Sequence, residues 1–334
     1  MNNHVDVSKL VWRRHGHLHL VAARSLASRS PCCGAFRLMA AASSSALSLD
    51  VVMTAAPRDY PMFPSNIESI MTHVAPRVRN IFVIVPPSII EEPSHRGSNC
   101  TKAVKVRLPV YSDGCSDTVV NRSRTVAAQH GARLHFISED RFAFAFNISS
   151  RSVGAFLPPQ YKYRASWYTQ QFLKLYAHRF IRSLGDHLLL DSEVLFHRPT
   201  DFVAGVTADG KPTSYRYETS PLKPEERNYF KIIGCLTNNQ VRRFETRSGV
   251  VDMLMISLHV LRELMASVEA NHKAPFWVAA MRCVQSLGPA STQSDFSEYE
   301  TYFQYARHYH PRTMSISNER VSSNTLHGWL FGRG

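Results

Sequence analysis

Two hydrophobic patterns alternate along residues 47–316. Short unbroken apolar runs, as in strands covered on both faces, are separated by stretches whose apolar residues recur every three or four positions, as in helices with one buried face. Residues 47–54 and 80–85 (Asn-Ile-Phe-Val-Ile-Val) read as strands. Between them, residues 65–73 read as a helix with Ile67, Ile70 and Met71 on one face, Ser65 as N-cap and Glu68 as its capping-box partner. Strand, helix and strand at this spacing form a βαβ unit, which implies a right-handed crossover and a parallel sheet. Residues 133–138 predict another strand, residues 88–120 are irregular with a short strand near 104–111, and residues 143–163 read as a Pro-interrupted loop over the sheet.

The second half begins with the clearest helix, 166–181, striped by Tyr168, Phe172, Leu175 and Tyr176 with Phe180 a turn beyond. A central strand at 187–196 follows at once. Residues 207–248 are polar, basic and aromatic, with one strand at 213–217. A hydrophobic strand at 249–256 leads into helices at 257–268 and 275–285, a helix at 295–307 and a strand at 313–316. No internal repeat is visible. The pattern predicts an α/β domain with a mostly parallel central sheet.

The ends of the chain differ from this middle. Residues 1–45 carry Arg13, Arg14, Arg24, Arg29 and Arg37, many Ala and Ser, and a single acid, Asp6, which is the composition of a targeting segment or a disordered basic arm. His15, His17 and His19 alternate there, a metal-ligand spacing on a strand and a solvated cluster in a tail. Residues 317–334 form a Gly-rich C-terminal tail. A basic start suits import into an organelle, and the acceptor patterns at Asn99, Asn121 and Asn147 suit the secretory route, so the compartment stays open.

Composition narrows the partners. The 334-residue chain is 44% hydrophobic, enough for a sizeable core. Its net charge of +13 favours anionic partners, but no dense Lys/Arg block interleaved with aromatics argues for nucleic acid. The longest apolar stretch, 38–52, is diluted by serines and falls short of the roughly 18 residues of a membrane helix, so no transmembrane anchor is expected. None of the six cysteines form a zinc-type pair of pairs. Cys100 and Cys115 are either a bridge or buried thiols.

Candidate chemistry gathers at residues 187–202. Leu188, Leu189 and Leu190 end abruptly in Asp191 and Glu193, and Val194 resumes the apolar run. In a continuous strand, positions i and i+2 point one way, so the two carboxylates converge at a strand end. Hard oxygen ligands there suit Mg²⁺ or Mn²⁺ held together with phosphates, at the edge where open α/β sheets bind ligands.

Four blocks in order carry a resemblance: residues 47–85 with Asp59; Ser166-Trp-Tyr-Thr-Gln-Gln-Phe-Leu-Lys-Leu175; Leu188-Leu-Leu-Asp-Ser-Glu-Val-Leu-Phe196 with Arg198-Pro199; and Phe296-Ser-Glu-Tyr-Glu-Thr-Tyr302. Together they resemble a family of largely uncharacterised proteins similar to nucleotide-sugar glycosyltransferases of the GT-A type, in the nucleotide-diphospho-sugar transferase superfamily. The resemblance implies a Rossmann-like three-layer α/β/α domain over residues 46–316 that moves a sugar from a nucleoside diphosphate sugar to an unknown glycan, protein or small-molecule acceptor. It places Asp191 and Glu193 at the Asp-x-Asp position that holds Mn²⁺ or Mg²⁺. The second acid departs from that pattern by one methylene.

The resemblance also assigns roles. Asp59 contacts base or ribose, or else caps the next helix. Lys174 neutralises a phosphate as a point charge, and Gln170 and Gln171 bond the donor, unless all three lie on an exposed helix face. Trp167 is a stacking platform or a core aromatic. Glu298 is the favoured general base, because Glu300 at i+2 on a helix faces elsewhere. His308 and His310 offer a further metal ligand or pack, and Arg198 pairs with phosphate or Asp201. Two other readings are a catalytically silent sugar-nucleotide or glycan-binding module and a metal-dependent phosphohydrolase.

Overall fold

The computed structural model describes residues 47–89, 115–242, 246–288, 294–317 and 323–325. The basic arm at 1–45, most of the C-terminal tail, the strand expected at 104–111, Asn99 and Cys100 lie outside them.

The core is a five-stranded sheet. Its strands are β1 (Leu49–Thr54), β2 (Val78–Val85), β3 (Arg133–Ser138), β4 (His187–Asp191) and β7 (Met253–Ile256). They lie in the order β7-β4-β1-β2-β3. Four run parallel and β7 is antiparallel to β4. Every residue of β1 is buried, which requires cover on both faces and explains the unbroken Leu-Asp-Val-Val-Met-Thr run. Helices on both sides supply it, giving three α/β/α layers. A second, three-stranded sheet joins β5 (Val203–Val206), β6 (Pro212–Glu218) and β8 (Met314–Ser317).

The helices are α1 (Phe63–His73), α2 (Cys115–Gln129), α3 (Asp140–Phe146), α4 (Ser150–Gly154), α5 (Ala165–Phe180), α6 (Arg227–Leu236), α7 (Leu258–His272), α8 (Phe276–Ser286) and α9 (Glu298–Tyr309). Most of α5 is buried, because β1 lies on one side of it and α9 on another. Five expectations need correction here. The stretch 187–196 is not one strand: β4 stops at Asp191, Ser192 and Glu193 turn, and Val194–Phe196 pairs with Ser323–Thr325 in a separate sheet. The alternation argument for Asp191 and Glu193 therefore does not apply.

Helix α1 starts two residues before Ser65, with no side-chain cap, because Pro64 needs no amide partner in the first turn. The presumed loop 143–163 contains α4 and the end of α3, which closes on Asn147 in a left-handed conformation at φ 56°. The segment 207–248 contains α6, whose buried Phe230, Ile233 and Leu236 fall at helical spacing behind a polar lead-in. Helix α2, Val- and Ala-faced and otherwise polar, had too weak a stripe to predict.

A disulfide joins Cys235 of α6 to Cys283 of α8, with Cα atoms 5.9 Å apart. This is a different bridge from the one weighed between Cys100 and Cys115.

Candidate functional site

The last residue of β4 sits level with the last residue of β1, Thr54 pairing with Asp191 at the carboxyl edge of the parallel strands. Asp191 is more open than the strand behind it: its side chain is 28% exposed, whereas Leu188, Leu189 and Leu190 are fully buried. Its amide is fixed by the carbonyl of Asp252, at 3.0 Å. The backbone thus holds Asp191 in place before any side chain acts.

Lys174 reaches that carboxylate from inside the molecule. It lies in the middle of α5, 4% exposed. Its ammonium donates to Asp191 Oδ1, to Glu298 Oε1 at 2.8 Å and to the Tyr299 hydroxyl at 3.2 Å. These three acceptors use all three of its donors. The Tyr299 ring also lies under the ammonium, 4.6 Å from its centroid, and the Tyr299 hydroxyl donates to Asp191 Oδ1 at 3.0 Å. Burial alone would lower the Lys174 pKa, but Asp191 and Glu298 outweigh it and raise the pKa above the usual lysine value.

Helix α9 supplies the other half of the cluster. Ser297 caps it, accepting from the Glu300 amide at 3.2 Å, and Glu298 and Glu300 stand in its first turn at the positive end of the helix dipole. Glu298 is 3% exposed, and its amide donates to Gln171 Oε1 at 3.2 Å. Burial raises its pKa, Asp191 raises it further, and Lys174 opposes both. Glu300 points elsewhere, as its position two residues on requires. It accepts from Ser248 Oγ at 2.8 Å, the Gly249 amide at 2.5 Å and Gln304 at 2.7 Å. Burial, against those bonds, pushes its carboxyl up to about 7.

The structure therefore brings Lys174, Asp191, Glu298 and Gln171 together from three of the four sequence blocks. Gln171 leaves its Nε2 buried with no hydrogen-bond partner among the described residues. Gln170, next to it, is only half-buried, and Glu193 is half-buried in the turn after β4. Asp59 bonds the acid turn itself: its Oδ2 accepts from Ser192 Oγ at 2.7 Å and from the Ala56 amide at 2.8 Å. The side-chain amide of Asn66 in α1 donates to the Ser192 carbonyl.

Tyr299, Ser192 and Asn66 are parts of this arrangement that residue types alone did not single out. Tyr299 lay inside the Ser-Glu-Tyr-Glu block, flanked by the acids that drew attention. Trp167 packs against the core under the Arg164 guanidinium, 4.7 Å away, as the core alternative has it. His308 lies edge-on to Tyr309, while His310 bonds Glu263. Asp201 accepts from the Val203 amide and lies 3.9 Å from Arg216.

Hard carboxylate oxygens at this edge fit a divalent ion. The Lys174 and Tyr299 contacts to Asp191 both land on Oδ1, which makes Oδ2 the candidate ligand atom. The buried cluster also holds two carboxylates against one ammonium, a balance that an added cation improves.

Fold and cluster define an α/β/α domain with an acid–lysine centre at the carboxyl edge of its sheet. The chain belongs to a family of unknown function, DUF6492, whose model matches residues 67–323. No curated protein matches it. Among solved structures, mouse xyloside xylosyltransferase 1 in its apo form aligns over 81% of this chain and 85% of its own, at 9% identity and a TM-score of 0.39. The galactosyltransferase LgtC, in complex with donor and acceptor sugar analogs, aligns over 81% of this chain and 73% of its own, at 14% identity and a TM-score of 0.35. No helix among the described residues is long and apolar enough to cross a membrane.

Proposed function

We propose that this protein is a glycosyltransferase that takes a nucleoside diphosphate sugar with the help of Mn²⁺ or Mg²⁺. The observation that carries the reading is the Lys174–Asp191–Glu298–Tyr299 cluster at the carboxyl edge of the parallel strands, where open α/β sheets bind their ligands. The ordered sequence blocks around it supply the donor class.

In this reading Asp191 Oδ2 and Glu193 hold the ion, which when bound neutralises charge on the leaving diphosphate. Lys174 orients Asp191 and keeps a fixed positive charge behind it. Tyr299 closes the cluster from below, and the buried Gln171 amide, without a partner among the described residues, reaches the donor only after the cluster opens. Asp59 acts through Ser192, holding the turn that carries Glu193. Glu298 is the candidate base, and its raised pKa suits that work. With 3% exposure beneath Lys174, it meets an acceptor hydroxyl only after the Lys174–Glu298 contact opens.

That burial favours a second reading, a silent module that binds a sugar nucleotide without transfer. Donor hydrolysis separates the two. Wild-type protein is expected to release UDP or GDP from the matching sugar nucleotide only with Mn²⁺ or Mg²⁺, and Asp191→Asn to lose this. Metal-dependent binding without release supports the silent module, and neither binding nor release across UDP- and GDP-sugars refutes both.

A further inference from the structure

A second group of ligand atoms lies at the opposite edge of the sheet. Ile256 at the end of β7 pairs with His187 at the start of β4, so α7 begins at the edge away from Asp191. Helix α9 starts with Glu298 beside Lys174 and runs 12 residues, roughly 18 Å, away from it. His259 and Glu263 stand one turn apart near the start of α7, and His310 follows the last residue of α9.

These side chains converge. Glu263 Oε1 is 3.1 Å from His310 Nε2, and Glu263 Oε2 is 3.7 Å from His259 Nε2. The ligand atoms of all three lie within 4.8 Å of one another. Around a tetrahedral ion with bonds of about 2.0–2.1 Å, neighbouring ligand atoms stand about 3.3–3.4 Å apart; the two carboxylate–imidazole spacings lie close to that value, and the widest spacing, at most 4.8 Å, must close by side-chain rotation. Residues i and i+4 on one helix give two ligands without backbone change, and His310 closes the set from another element. Glu263 is also steadied by the Tyr305 hydroxyl, which donates to its Oε1 at 3.0 Å, the support that a ligating carboxylate usually has. Exposure is graded: the His310 side chain is 19% exposed, Glu263 40% and His259 79%, so an ion enters from the His259 side.

We propose that His259, Glu263 and His310 form a Zn²⁺ site that fastens the start of α7 to the end of α9. Two imidazole nitrogens and one carboxylate oxygen suit Zn²⁺ better than Mg²⁺ or Ca²⁺, and a water completes the fourth position. The site stands apart from the ion assigned to Asp191 and does not depend on the transferase reading.

The test uses the full, untagged chain stripped with chelator and titrated with Zn²⁺ by calorimetry, with thermal unfolding in parallel. Wild type is expected to bind one equivalent at this site and to gain melting temperature. His259→Gln, at an exposed position that packing does not constrain, is expected to weaken that event at least tenfold, and His259→Gln with His310→Gln to remove it. Asp191→Asn is expected to leave it unchanged. Because His15, His17 and His19 also carry imidazoles, the double variant decides. Equal Zn²⁺ binding and equal thermal gain in wild type and double variant overturn the site, as does loss of the event in Asp191→Asn alone.

Discussion

The two ends of β4 solve the problem of a buried ionisable group in opposite ways. At the carboxyl end, Lys174, Asp191 and Glu298 form a paired cluster with every ammonium donor used. At the amino end, His187 is fully buried and His178 nearly so, and among the described residues neither hydrogen-bonds an acid. Each bonds a backbone carbonyl through Nδ1, at 2.8 Å. Burial lowers both pKa values, that of His178 to about 4, so these rings stay neutral. His178 lines a pocket of about 440 Å³ with Arg179, Arg182 and Arg262, and Arg179 and Arg262 further disfavour a charge on its ring. A buried group either keeps its charge and is paired, or gives the charge up and settles for a neutral hydrogen bond.

The largest expected effect is at the paired end. Lys174→Met leaves two acids buried without their cation and is expected to cost about 3–5 kcal/mol, read by urea unfolding. Adding Glu298→Gln is expected to recover part of that loss. A cost below about 1 kcal/mol for Lys174→Met shows that the cluster is not closed on its ammonium.

The neutral end predicts a pH slope. The folded state keeps His178 unprotonated down to about 4, while the unfolded chain takes up the proton near 6.5, so stability falls as pH drops from 6.5 to 4. The full span is worth about 3 kcal/mol. Glu300 works in the other direction. Its folded pKa of about 7 exceeds the ordinary glutamate value of 4.5, so stability is lost as pH rises from 4.5 to 7, again by about 3 kcal/mol. In wild type the two slopes oppose each other between 4.5 and 6.5. Glu300→Gln is expected to steepen the acid loss, and His178→Gln to expose a decline toward neutral pH, both measured by denaturant midpoints across that range. Parallel curves for both variants and wild type overturn this assignment.

The smallest effect on stability belongs to the acid turn. Ser192→Ala removes one hydrogen bond to Asp59 and is expected to cost about 1 kcal/mol. Its effect on Mn²⁺ affinity is expected to be larger, about 10–100-fold, because the bond orients the turn bearing Glu193. Calorimetry with Mn²⁺ checks it, and an unchanged affinity removes the turn from the site.

Much of the sheet was legible because both-face burial writes itself as runs of apolar residues, as at Val51–Met53 of β1, Ile81–Val85 of β2 and Leu188–Leu190 of β4. Helix α5 was legible for the same reason: its Tyr168, Phe172 and Leu175 stripe is deep and regular. Helix α2 was not, since a helix packed by Val and Ala amid polar residues leaves little periodic contrast. In the site, charge type pointed to Lys174, Asp191 and Glu298, whose meeting needs the crossing of α5, β4 and α9 that no local pattern encodes. The turn at Ser192 was hidden because apolar residues on both sides of it suggested an unbroken strand. The part played by Asp59 was hidden too, because its partner lies 133 positions further along the chain.

That last contact has a bearing on how variants of this protein are read. Asp59 grips the hydroxyl midway between two acids, so replacing it also releases a neighbouring turn. An alanine scan scored by turnover alone does not separate that release from the loss of a ligand contact. Its true part emerges when Asp59→Asn and Ser192→Ala are combined: losses that fail to add mark one shared strut, while losses that add mark two separate contacts.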